Sequence, residues 1–170
     1  MEFTNGIKAM LPITSGVIPF GIVMGTVAFN AQIDLTQTMG MNLFVFAGAS
    51  QLAAVDLMTQ NAASLVVITT GLIINLRFML YSASLSTVLQ SSNLLVKSLV
   101  SYSITDQTYA ALMANQSRLN STRKTIEFYF GASACMIVAW QVAVLSGFIF
   151  GNFAPTALGA LLTRRSTNAN

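Results

Sequence analysis

Apolar residues in this chain gather into long stretches, each separated from the next by a few polar positions. The stretches occupy residues 10–33, 39–58, 65–89, 94–114 and 126–150. A helix needs about 20 mostly apolar residues to cross the hydrocarbon core of a bilayer. The pattern therefore predicts an all-α membrane protein with about five transmembrane helices. Connections at 34–38, 59–63 and 90–93 are short, and only 115–125 is longer. With no polar insert, residues 1–155 read as a single transmembrane domain and 156–170 as a divergent polar tail.

Composition strengthens the membrane reading. Of 170 residues 54% are hydrophobic and 8% charged, whereas a soluble domain carries about 25% charged residues to face water. The net charge of +3 does not point to nucleic acid, because the cations are scattered along the chain. Only Arg118, Arg123 and Lys124 cluster, in a loop that membrane topology explains. Taken with Lys8, that cluster favours a cytoplasmic amino terminus, while Lys97 and the tail pair Arg164 and Arg165 fall on the opposing loops and weaken the bias. The first apolar stretch is longer than the core of a cleavable signal, about 7–15 residues. Cys135 is alone and histidine is absent, so neither a disulfide framework nor the commonest catalytic base is expected. No enzyme activity, metal or cofactor is expected.

Several of these stretches make poor lipid-facing helices. The first contains Pro12, Gly16, Pro19, Gly21 and Gly25, so a kink or break is expected near Pro19. The second holds Ala47-Gly48-Ala49-Ser50-Gln51, small residues ending in an amide. Such a run suits close helix packing, as do Gly21-x-x-x-Gly25 and Gly147-x-x-x-Gly151. It equally suits a discontinuous helix lining a binding site.

Two charges stand where a membrane disfavours them. Arg77 lies mid-stretch, at a cost of about 2.5–3.5 kcal/mol on the lenient insertion scale, so it needs a partner or water. Thr70, Ile73, Arg77, Tyr81 and Ser84 recur at helical spacing as one stripe, with Asn75 turned away from it. Asp106 is the anomaly of opposite sign, on one face with Tyr102, Ser103 and Tyr109. The two charges form either an ion pair that fixes helix packing, or a site in which Arg77 meets a carboxylate while Asp106 carries a proton or meets an ammonium. Asp34, Asp56 and Glu127 sit at stretch ends and read as solvated. Trp140 suits packing against a partner helix, and Gln141 needs a hydrogen-bond partner.

These residues, taken in order, resemble a known family. Pro19-Phe20-Gly21-Ile22-Val23-Met24-Gly25 and Phe46-Ala47-Gly48-Ala49-Ser50-Gln51-Leu52-Ala53-Ala54 are similar to the opening of the AzlC family. Asn75-Leu76-Arg77-Phe78-Met79-Leu80-Tyr81-Ser82-Ala83-Ser84-Leu85, Thr105-Asp106-Gln107, Phe128-Tyr129-Phe130-Gly131-Ala132-Ser133 and Trp140-Gln141 continue the match. The resemblance runs from Gly16 to Pro155 and implies the large subunit of a bacterial branched-chain amino-acid exporter. Leucine, isoleucine, valine and methionine are the substrates it implies. It further implies a small AzlD-type membrane subunit as partner and a multi-pass location in the bacterial inner membrane. Family members continue past Pro155 with further spans, so the divergent tail reads as a truncated or frame-shifted end.

The expected substrate-binding residues are Ser50, Gln51, Asn75, Arg77, Thr105 and Gln107, with Asp106 as the proton-coupling group. Proton coupling rests on Asp106 and on the absence of a nucleotide-binding motif. The competing expectation is a passive channel or packing subunit, marked by Arg77 and Asp106 facing separate helices with no cavity between them.

Overall fold

The computed structural model describes residues 1–151 in full and residues 152–167 by backbone alone. The tail expected over 156–170, including Arg164 and Arg165, lies outside the fully described residues. The described residues form eight α-helices: α1 (Glu2–Asn30), α2 (Leu35–Phe44), α3 (Gly48–Thr59), α4 (Ser64–Asn75), α5 (Arg77–Ser86), α6 (Leu94–Tyr102), α7 (Asp106–Asn115) and α8 (Thr122–Thr167). Among the described residues, three units are long and apolar enough to cross a membrane: α1, the α4–α5 pair and α8.

The frame is a parallel pair, α1 against α8, which form the most extensive helix contact in the chain. Their sequences explain the fit. A side chain on Gly6 would strike the Phe128 carbonyl, and one on Gly131 the Phe3 carbonyl. Further along, Gly25 lies on the Val144 carbonyl and Gly147 on the Ile22 carbonyl. These reciprocal glycine contacts bring the two backbones together at both ends, and Thr26 Oγ1 adds a 3.0 Å hydrogen bond to the Gly147 carbonyl. Met10, Val17, Met24, Met136, Trp140 and Val144 are buried in the core built on this frame.

The stretches 39–58 and 94–114 are not simple spans. Each is folded as two short helices joined by a non-helical turn, Val45–Ala47 in one case and Ser103–Thr105 in the other. At 1.5 Å per residue the arms α2, α3, α6 and α7 are each roughly 14–18 Å long, about half the hydrocarbon core. Their surroundings show that each pair enters and leaves on one face. Val55, Asp56 and Thr59 at the end of α3 lie with Val27, Asn30 and Ala31 at the end of α1, beside which α2 also begins. On the other face, Leu85, Val100 and Leu112 from α5, α6 and α7 gather around Thr125, Ile126 and Tyr129 at the start of α8. Two re-entrant hairpins thus enter from opposite faces, and their tips meet where Phe46 stacks on Tyr102 with ring centroids 6.5 Å apart. The Tyr102 hydroxyl donates to the Leu43 carbonyl across the same junction.

The expected discontinuity is therefore present, but in the hairpins and between α4 and α5, not at Pro19. α1 runs unbroken through Pro12 and Pro19. Inside a spanning helix the lost amide bond is tolerated where neighbours support the backbone. Here α8 supports α1 along its length.

The hairpins also redistribute charge. Lys97, expected opposite the Arg118–Lys124 loop, lies on the same face, because α6 starts beside α8 rather than across the membrane from it. Lys8, Lys97, Arg118, Arg123 and Lys124 all belong to that face, where Arg118 stands 4.0 Å from Glu2. Asp34 and Asp56 belong to the other, which has no Lys or Arg among the fully described residues.

Candidate functional site

The candidate site is a cavity of about 530 Å³ at mid-depth, where both hairpin tips, α1, α8 and the α4–α5 break converge. Its apolar wall is made by Ile13, Val17, Phe20, Phe46, Met136 and Trp140. Its polar wall is made by Arg77, Thr105, Asp106 and Gln107.

Arg77 reaches the cavity from the junction of the two half-helices: α4 ends at Asn75, and α5 begins at Arg77. Its Nη1 lies 2.8 Å from Asp106 Oδ2, and both side chains keep just over a third of their surface open (37% and 36%), so a solute can reach the pair. The second carboxylate oxygen of Asp106 accepts from the Tyr81 hydroxyl at 2.9 Å. Tyr81 is held by a stacked Tyr109, 4.5 Å between centroids, whose own hydroxyl bonds Ser84 at 3.0 Å. The guanidinium also lies over the Phe78 ring, 5.2 Å from its centroid. Its Nε is buried with no partner, so the arginine retains an unused donor.

The hairpin tips place two helix amino termini at the cavity. The α7 end is capped: Thr105 Oγ1 accepts from the Thr108 amide at 3.1 Å, and Thr108 Oγ1 accepts from the Thr105 amide at 2.9 Å. The α3 end has no side-chain cap. Its first helical bond is Gln51 N–H to the Ala47 carbonyl, which leaves the Gly48 and Ala49 amides without intrahelical acceptors at the cavity wall. A helix start carries roughly half a positive charge, so both termini favour an anion at this depth. The turn that sets α3 in place holds Phe46 at φ 44°, a left-handed conformation that a bulky residue adopts only under outside constraint.

The sequence-derived residues divide into two sets. Arg77, Thr105, Asp106 and Gln107 line the cavity together. Ser50, Gln51 and Asn75 do not line it. They stand behind it, where Asn75 Nδ2 donates to Ser50 Oγ at 3.1 Å and Gln51 Nε2 donates to Asn42 Oδ1 at 2.8 Å. Helical phase explains the division: two residues apart, Asn75 turns towards α3 and Arg77 towards α7. The expected stripe holds only in part: Tyr81 and Ser84 join Arg77 against α7, whereas Ile73 is exposed.

Asn42 is the residue that sequence reasoning missed. Fully buried, it accepts at Oδ1 from Gln51 and from Trp140 Nε1 (3.2 Å), and donates from Nδ2 to Gln141 Oε1 at 3.3 Å. This amide ties hairpin α2–α3 to α8 and sets the orientation of the Trp140 ring. An asparagine inside an apolar stretch was the available signal, because a buried amide in a membrane must find partners.

Comparison with known proteins fits this arrangement. The AzlC protein family matches residues 12–154. The chain belongs to the AzlC family. A relative from Archaeoglobus fulgidus, named an uncharacterized membrane protein, is 26% identical over 145 residues, which cover 85% of this chain and 63% of the relative. A second of the same name, from Helicobacter pylori strain 26695, is 25% identical over 155 residues, 89% of this chain and 67% of its own. The AzlC chain described here thus spans about two thirds of the length of these relatives. No solved structure matches it.

Proposed function

We propose that this AzlC chain is the substrate-carrying part of a transporter that exports branched-chain amino acids from the cytoplasm, coupled to proton movement. The observation that carries the reading is the cavity itself: an apolar wall opposite an accessible Arg77–Asp106 pair, enclosed by two opposed re-entrant hairpins. A branched aliphatic side chain suits the Ile13, Val17, Phe20, Met136 and Trp140 wall. The α-carboxylate suits Arg77 and the uncapped start of α3. The ammonium suits the Gln107 side-chain carbonyl and the Thr105 hydroxyl.

Coupling follows from competition for one carboxylate. With Asp106 ionised, its oxygens join Thr105 and Gln107 on the substrate ammonium while Arg77 meets the substrate carboxylate. When Asp106 takes up a proton from the outside, its hold on the ammonium is lost and the substrate leaves. Loss of that proton to the cytoplasm restores the site, so each exported amino acid is exchanged for one inward proton. Half-helices meeting at mid-depth suit such a cycle, because each hairpin can open to its own face.

The charge distribution gives the orientation. Cytoplasmic loops carry the excess of Lys and Arg, so the face with Lys8, Lys97, Arg118, Arg123 and Lys124 is assigned to the cytoplasm of a bacterial inner membrane, with the amino terminus inside. A small AzlD-type membrane subunit is the proposed partner. Efflux of preloaded labelled leucine tests the reading, in cells expressing this chain with such a partner beside a longer family member. Efflux above the empty-vector rate and dependent on external pH supports it. Leucine release unchanged from the vector, next to an active longer relative, overturns it for this chain.

A further inference from the structure

The cavity has two glycines in its wall, Gly16 and Gly48, and their surroundings are opposite. A Cβ on Gly48 would lie 2.6 Å from Trp140 Cη2 and 2.8 Å from Phe20 Cε1, so that wall is already filled. A Cβ on Gly16 would meet nothing within 4 Å. Gly16 shares its helix face with Ile13 and Phe20, three residues before and four after it, and all three line the cavity. Nor does Gly16 serve the α1–α8 contact, which uses Gly6, Gly21 and Gly25 on another face. Gly16 is itself exposed, so its missing side chain leaves open space at the mouth of the cavity.

We propose that Gly16 sets the size limit of the site: the space over its Cα accepts the branched end of a leucine-sized side chain. The inference rests on the cavity binding amino acids, as proposed above. It makes Gly16 a specificity determinant whose enlargement narrows the site without unseating a helix. One methylene in an apolar pocket changes discrimination by roughly 10-fold or more.

The test reads occupancy rather than transport. In the Cys135→Ala chain, an Ala49→Cys reporter is placed on the cavity wall, and its reaction with a small water-soluble maleimide is followed in proteoliposomes. Leucine and alanine are titrated as protectants against chains with Gly16, Gly16→Ala and Gly16→Leu. Gly71→Leu serves as control, since a Cβ there also meets nothing and Gly71 does not line the cavity. The expected result is a rise of about 10-fold or more in protective leucine relative to alanine for Gly16→Leu, with Gly16→Ala between. An unchanged leucine-to-alanine ratio overturns the size limit while the amino-acid reading stands. An equal shift in the Gly71→Leu control also overturns it. If neither amino acid protects the reporter with Gly16 in place, the amino-acid reading falls and the size limit with it.

Discussion

At the level of single residues, the Arg77–Asp106 pair carries the function proposed for the cavity. Both groups are open enough to meet a solute, so the pair contributes less to stability than a sealed one. Arg77→Ala is expected to abolish leucine binding, because no other cation lines the cavity among the described residues. Asp106→Asn keeps the shape but cannot exchange a proton. Its leucine efflux is expected to lose its dependence on external pH, and retained pH dependence would remove Asp106 from the coupling step. Tyr81→Phe deletes one hydrogen bond to a carboxylate, worth about 1.5–3 kcal/mol, and is expected to weaken coupling without abolishing binding. All three are read by efflux at two external pH values beside equilibrium binding of labelled leucine.

At the level of elements, the molecule depends on how closely its helices approach. Gly25→Leu drives a side chain into the Val144 carbonyl and is expected to destabilise the α1–α8 frame by about 1–3 kcal/mol or more. A lower melting temperature in detergent than that of Gly71→Leu checks this. Asn42→Ala removes the acceptor shared by Gln51 and Trp140. It leaves two buried donors unpaired, at about 1–3 kcal/mol each. Trp140 is the chain's single tryptophan, so its fluorescence reports directly whether the α2–α3 hairpin has loosened; an unchanged spectrum and melting temperature would deny Asn42 that role.

Across the whole molecule, the two hairpins dictate which loops share a face. Five simple spans would place Asn61 on the face opposite Gln32, and Ser92 opposite Asn120. The re-entrant arrangement puts Gln32 with Asn61, and Ser92 with Asn120. Single-cysteine variants at these positions in the Cys135→Ala chain, labelled in intact cells with an impermeant maleimide, separate the two. Labelling of Gln32→Cys and Asn61→Cys alone is expected; labelling of Ser92→Cys instead of Asn61→Cys restores five spans. The same experiment reads orientation, since the face with Asp34 and Asp56 is predicted to lie outside.

Much of this was legible in the residues. The apolar stretches fixed the membrane class, because a backbone in hydrocarbon must satisfy its own hydrogen bonds and so becomes helical. Arg77 and Asp106 stood out because charge at that depth is costly, and the glycine pairs announced close packing. Which way a stretch of about 20 residues folds was not legible. One helix across the bilayer and two half-length helices returning to the same face use the same apolar composition. Only the tertiary arrangement decides between them, through the surface that receives each tip: Phe46 on Tyr102, Asn42 on Trp140 and Gln141. The same holds for the site. Sequence marked its polar residues and set Asn75 apart from Arg77 by helical phase, whereas only the tertiary arrangement decided that α7 and the cavity meet Arg77 while α3 meets Asn75, because those partners come from distant parts of the chain.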